Sequence, residues 1–215
     1  YGRVRTGEES ETTNRCITTE NIKLALNHSS FLNDYQKNGN ISKQGTFDKN
    51  NNDETFAALT PFLEQSLDII KQKNLLNWEK GSAGNLTINN TIYGIIRVIS
   101  DILDIVLKEK GLQLAPADCF DDCKDLLEKF ANAIYSLSPE ELVTLKKQYG
   151  GGGTRGAWRA LQIKFNSMYP EYTNPELAAY IENNSTINNE ATKEYLDLLK
   201  IYFVDKFKAY IEPKT

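Results

Sequence analysis

The chain has 215 residues, with 25 Lys and Arg against 29 Asp and Glu, a formal charge of −4 and one His. That length suits one large domain or two small ones, and chains of this size bury roughly 70% of their unfolded surface. The acidic balance excludes a protein that is basic throughout, the usual footprint of a dedicated nucleic-acid-binding domain.

The longest apolar stretch, residues 92–107, is interrupted by Arg97, Asp101 and Asp104. A spanning helix needs about 20 predominantly apolar residues, so no membrane segment is expected. Three cysteines, Cys16, Cys119 and Cys123, are an odd number and few, which points to a reducing, cytoplasmic compartment. The Asn-x-Ser/Thr triplets at Asn27, Asn40, Asn85, Asn89, Asn183 and Asn184 read as products of an Asn-rich composition rather than as glycosylation sites. Tyr1 and Gly2 lead into Arg3, Arg5, Glu8 and Glu9 with no apolar core. The segment is not a signal peptide and reads as a boundary inside a longer polypeptide.

Residues 1–17 are polar and without period, as in an arm or loop. Thr18 or Thr19 is placed to cap a short helix through Asn27, and Ser29 or Ser30 a further short turn carrying Phe31, Leu32 and Tyr35. Residues 37–53 are rich in Asn, Gly, Ser and Lys, as in a loop. Phe56, Leu59, Leu63, Leu67 and Ile70 then recur at helical spacing to about residue 73. Pro61 lies inside that pattern and predicts a kink, or a break capped by Thr60. Residues 75–90 read as a connection.

The strongest signal follows. Ile92, Ile95, Ile96, Ile99, Ile102, Leu103, Val106 and Leu107 form one broad apolar stripe, and Val98 and Ile105 widen it. So much apolar surface marks a helix central to the core. Asp118 is placed to cap a helix using Phe120, Cys123, Leu127, Phe130 and Ile134. Ser138-Pro-Glu-Glu141 is a capping box with Pro at the first helical position. Residues 150–153 are glycine, a break that precedes a helix over 155–169 with Trp158, Leu161, Phe165 and Met168. A short helix over 175–181 and a last one over 190–210 complete the chain, and no segment alternates with period two.

The fold class is therefore all-α, an irregular bundle of about seven to nine helices, with a second lobe allowed beyond the glycine joint. Residues 1–52 form an N-terminal arm with short helices, 53–149 a central helical bundle, and 150–215 a C-terminal helical segment packed on it.

Candidate chemistry is sparse. Any Ser-His or Cys-His arrangement must use His28, which reads as a polar loop or cap residue between short helices. Cys119 and Cys123 share a helix face, but zinc usually takes four ligands, so they read as core thiols without metal. Asp118, Asp121, Asp122 and Asp125 read mostly as caps and a solvated face. No catalytic residue and no cofactor is implied. One block stands out: residues 142–170 contain no Asp or Glu but hold Lys146, Lys147, Arg155, Arg159 and Lys164. Arg155 and Arg159 share a helix face, with Trp158 beside them. A basic groove with an aromatic can engage a nucleic-acid backbone. A solvated face that pairs with carboxylates elsewhere in the fold remains open.

Several segments together resemble the carboxy-terminal half of DGQHR-domain proteins, the bacterial group that includes DndB-like proteins. They are Tyr1-Gly-Arg-Val-Arg-Thr-Gly7, Cys16-Ile-Thr-Thr-Glu-Asn-Ile22, Ile92-Tyr-Gly-Ile-Ile-Arg-Val-Ile-Ser-Asp-Ile-Leu103 and Tyr149-Gly-Gly-Gly-Gly-Thr-Arg-Gly-Ala-Trp-Arg-Ala-Leu-Gln162. The DGQHR signature belongs to an upstream ParB-like domain in that family and does not occur in this chain, so that domain's activity is not carried over. The resemblance implies a helical accessory module of DNA modification or phage defence, with an upstream ParB-like domain and DNA as partners. A protein-interaction or oligomerisation scaffold without nucleic-acid contact is the alternative, and a metal-assisted enzyme using acidic residues comes third.

Overall fold

The computed structural model describes residues 4–5, 17–110, 118–149 and 153–172. The described residues are predominantly α-helical and contain seven α-helices, within the range expected from periodicity. The helices expected over 175–181 and 190–210 lie outside them. The chain divides into two units, Tyr1–Leu161 and Gln162–Thr215. The division falls inside the seventh helix, past the glycine run.

In the first unit, β1 (Val4–Arg5) pairs in parallel with β2 (Ile17–Thr18). Helix α1 (Thr19–Asn27) follows, with Thr18 at the N-cap position but no side-chain cap bond. The turn expected after Ser29 does not form. Phe31 and Phe47 instead pack with Phe62, ring centroids 5.0–5.9 Å apart. The Phe47 N–H donates to the Phe31 carbonyl at 2.9 Å, and the Asn33 side chain accepts from the Gly45 N–H at 2.7 Å. These bonds hold the segment extended, so β3 (Asp34–Tyr35) pairs antiparallel with β4 (Ile41–Lys43). All five residues of this hairpin's strands are exposed, which is why no alternation of apolar and polar residues announces it.

Helix α2 (Asn52–Lys73) starts at Asn51, whose side chain accepts from the N–H groups of Asp53 and Glu54. It continues through Pro61 without the expected break. Pro61 is exposed, and so is Ala57, whose carbonyl loses the proline's missing donor and can turn to water. The buried face is Leu59, Phe62, Ser66 and Ile70, whereas Phe56 is 69% exposed. The connection expected at 75–90 holds a short helix, α3 (Leu75–Glu79), and a 3-10 turn at Gly81–Gly84.

Helix α4 (Asn89–Lys110) is the core. Ile95, Val98, Ile99, Ile102 and Leu103 have no exposed surface. Full burial of each such side chain contributes about 1.5–3 kcal/mol. Helix α1 packs on α4, and α5 (Cys119–Tyr135) packs on both α4 and α2. Helix α5 buries Cys119, Cys123, Leu127, Phe130 and Ile134; Asp118 holds its N-cap position without a side-chain bond. Helix α6 (Pro139–Gln148) has the expected capping box: Ser138 accepts from the Glu141 N–H, and the Glu141 carboxylate from the Ser138 N–H. Helix α7 (Thr154–Met168) follows the glycine run. Of its second-unit part, Phe165 stacks with Tyr172, ring centroids 6.1 Å apart, and the buried Gln162 amide donates to Asn166. Among the described residues, no helix is long and apolar enough to cross a membrane.

Candidate functional site

The carboxylate-free interval occupies α6 and α7, and its cations divide by helix face. The capping box at Ser138 fixes where α6 begins, and packing on α4 sets which of its faces turns inward. In that register Leu142 and Lys146, one turn apart, both face inward. Lys146 is only 4% exposed, and its ammonium donates to the Thr91 hydroxyl of α4 at 3.3 Å. Burial pushes its pKa down from 10.5. The expectation that Lys146 lines an exposed patch is therefore corrected. Its long apolar stem is drawn into the core while its neighbour, about 100° round the helix, stays outside.

That neighbour, Lys147, is exposed, as is Arg155 in the first turn of α7. Arg159 is half-buried, and its Nη1 donates to the Tyr149 carbonyl at the end of α6, 3.3 Å away. It so places positive charge at a helix C-terminus and links α7 to the end of α6. Lys164 is half-buried in the second unit. Among the described residues, no carboxylate forms an ion pair with Arg155.

Facing α7 is a polar line on α4: Tyr93, Arg97 and Asp101, each one turn from the next. Gly94 makes the approach possible. A Cβ there would lie 2.9 Å from the Ala157 carbonyl carbon and the Trp158 nitrogen, closer than two such atoms can pack. With the backbones so near, the Arg97 guanidinium lies over the Trp158 ring, 5.1 Å from its centroid. The Trp158 indole N–H donates to Asp101 Oδ2 at 2.7 Å. Tyr93 is buried, and its hydroxyl bonds His28 Nδ1 at 2.8 Å. Burial raises the Tyr93 pKa; the positive charges of Arg97 and Arg155 oppose that rise, and Asp101 adds to it. Arg97 Nε is buried and, among the described residues, donates to no atom. An unmet buried donor costs about 1–3 kcal/mol.

His28 is thus neither isolated nor part of a serine triad. It ends α1, its backbone N–H bonded to the Leu24 carbonyl, while its ring reaches Tyr93. Ser29 Oγ donates to the Leu26 carbonyl, and Ser30 bonds Ser100. Cys119 and Cys123 are buried and not disulfide-bonded. Burial is the main cause raising both thiols, Cys123 to about 12. Asp122 pairs with Lys110, and Asp125 with Lys129 at 2.8 Å. Among the described residues, no group of three His, Cys, Asp or Glu side chains is placed to hold a metal ion.

Composition and spacing singled out Arg155 and Arg159 but not Tyr93, Arg97 and His28. The available signal was a cation and two other polar groups at i, i+4 and i+8 on an otherwise apolar helix, which is costly unless each finds a partner. Chemically the cluster is rich in donors: two guanidinium groups and a hydroxyl, partly offset by Asp101. Such a set suits anion binding better than bond breaking. No family model, no curated protein and no solved structure matches the chain.

Proposed function

We propose that this chain is a helical accessory module that contacts nucleic-acid phosphates through the cationic edge of α6 and the first turns of α7, using Lys147, Arg155 and Arg159. The observation that carries this reading is Arg155, exposed within a carboxylate-free interval and without an ion-pair partner among the described residues. In an acidic chain an uncompensated surface cation of this kind is suited to an external anion. The resemblance to DGQHR-domain proteins supplies the DNA setting, as a helical module accompanying DNA modification or phage defence.

The test is a salt-dependent titration of a labelled duplex and a labelled single strand by fluorescence anisotropy. Binding should weaken steeply with salt, show little sequence preference, and lose about 0.7–0.9 of slope for each cation removed. The double variant R155A/R159A should bind more weakly while keeping its helical circular dichroism. Wild-type protein that binds neither strand at low salt would overturn the reading.

A specific observation favours the second reading, a protein-interaction scaffold. Where α2 ends against α5, Asn74 Nδ2 donates to the Ala131 carbonyl and Lys73 lies over the Tyr135 ring. There Leu76 is 81% and Tyr135 64% exposed. Large apolar side chains left exposed on a surface suit a protein partner where they join into one continuous patch.

A further inference from the structure

We propose that the place where α1 ends against the crossing of α4 and α7 is a phosphate-binding site built from Arg97, Arg155, Tyr93 and His28, a deepening that takes its ligand class from the phosphate reading above. The side chains come from three helices, and the chain separations rule out a merely local motif: His28 and Tyr93 are 65 residues apart, Trp158 and Asp101 57.

Arg97 carries the inference. Its guanidinium lies over the Trp158 ring, and its Nε has no hydrogen-bond partner among the described residues. Arg97 as a whole is only part-buried, and an anionic oxygen is the partner a guanidinium takes best. Arg155 adds a second, exposed cation, two residues before Ala157, whose backbone lies against Gly94 next to Tyr93. Tyr93 and exposed His28 form one hydrogen-bonded unit beside them. Asp101 already accepts from the Trp158 indole. It offsets one of the two positive charges, so the group of ionised side chains keeps a net positive charge and selects an anion. The tetrahedral oxygens of a phosphate can meet several donors at once. Inorganic phosphate and a backbone diester share that chemistry.

The test uses the full chain in a Trp78→Phe background, leaving Trp158 as the only tryptophan of the two. Inorganic phosphate is titrated while Trp158 emission is followed, and a labelled oligonucleotide is titrated separately by anisotropy. The site predicts a saturable change in Trp158 emission that is lost in Arg97→Gln. It also predicts oligonucleotide affinity reduced about tenfold or more in Arg97→Gln and reduced in Tyr93→Phe. Tyr93→Phe keeps the ring packing and serves if Arg97→Gln does not fold, as judged by circular dichroism. Lys147→Gln, outside this site but on the proposed nucleic-acid edge, should keep the Trp158 response to phosphate while its oligonucleotide affinity and salt slope both fall. A phosphate response without oligonucleotide binding keeps the site and removes the nucleic-acid reading. Oligonucleotide binding that is indifferent to Arg97→Gln and Tyr93→Phe, with no phosphate response, removes the site and leaves that reading standing. Neither response removes both.

Discussion

The ammonium of Lys146 meets the hydroxyl of Thr91 at 3.3 Å, with both residues buried between α6 and α4. Among the described residues the amine's only hydrogen-bond partner is this uncharged hydroxyl, and no carboxylate pairs with it. Burial alone accounts for its lowered pKa.

This pair gives a pH dependence of definite sign. The folded pKa lies below 10.5, the value of the free side chain, so between the two values the unfolded chain binds more protons. Stability then rises with pH across that window. Below the folded pKa the penalty of the buried charge is fully present, and above 10.5 it is gone. Urea unfolding at a series of alkaline pH values should show wild type gaining stability relative to Lys146→Met, whose profile lacks this component. Parallel profiles for the two proteins would show that Lys146 is not buried as charge.

Gly94→Ala should destabilise the domain by about 1–3 kcal/mol, the usual cost of overpacking. The added methyl would meet the backbone of Ala157 and Trp158, which cannot rotate away as a side chain tip can. Chemical denaturation measures the loss. A shift of Trp158 emission in the folded state should accompany it, because α7 must move off α4. A Gly94→Ala protein of wild-type stability would contradict the close approach.

Ile99→Ala should cost about 2–5 kcal/mol. Ile99 has no exposed surface and lies in the middle of α4, where the lost side chain leaves a cavity that neighbours on all sides can only partly fill. The check is the midpoint of urea unfolding, with the slope unchanged.

Cys119 and Cys123 should resist alkylation by iodoacetamide in the native protein and react readily once it is unfolded. Both are buried thiols with raised pKa values, Cys123 near 12, and the thiolate is the reactive form. Mass spectrometry of protein labelled before and after addition of urea separates the two states. Rapid native labelling at Cys123 would show that α5 opens locally.

Much of the helical frame was legible in the residues because its causes are local. The stripe from Ile92 to Leu107 needs only helical spacing to declare itself, and α6 begins where Ser138 and Glu141 can satisfy each other's backbone. The site was half legible: Arg155 and Arg159 stood out by charge alone. Tertiary structure decided the rest. Lys146 and Lys147 are adjacent and chemically alike, yet one is in the core and the other in water, because the face that α6 turns to α4 is set by packing and not by its own residues. The β3–β4 hairpin forms because Phe31 and Phe47 join Phe62 of α2, a contact that no local period encodes. His28 finds Tyr93, and Trp158 finds Asp101, only after three helices have met. A side chain's partner across the fold depends on how helices cross, and the close approach of α7 to α4 needs a residue without a side chain at Gly94.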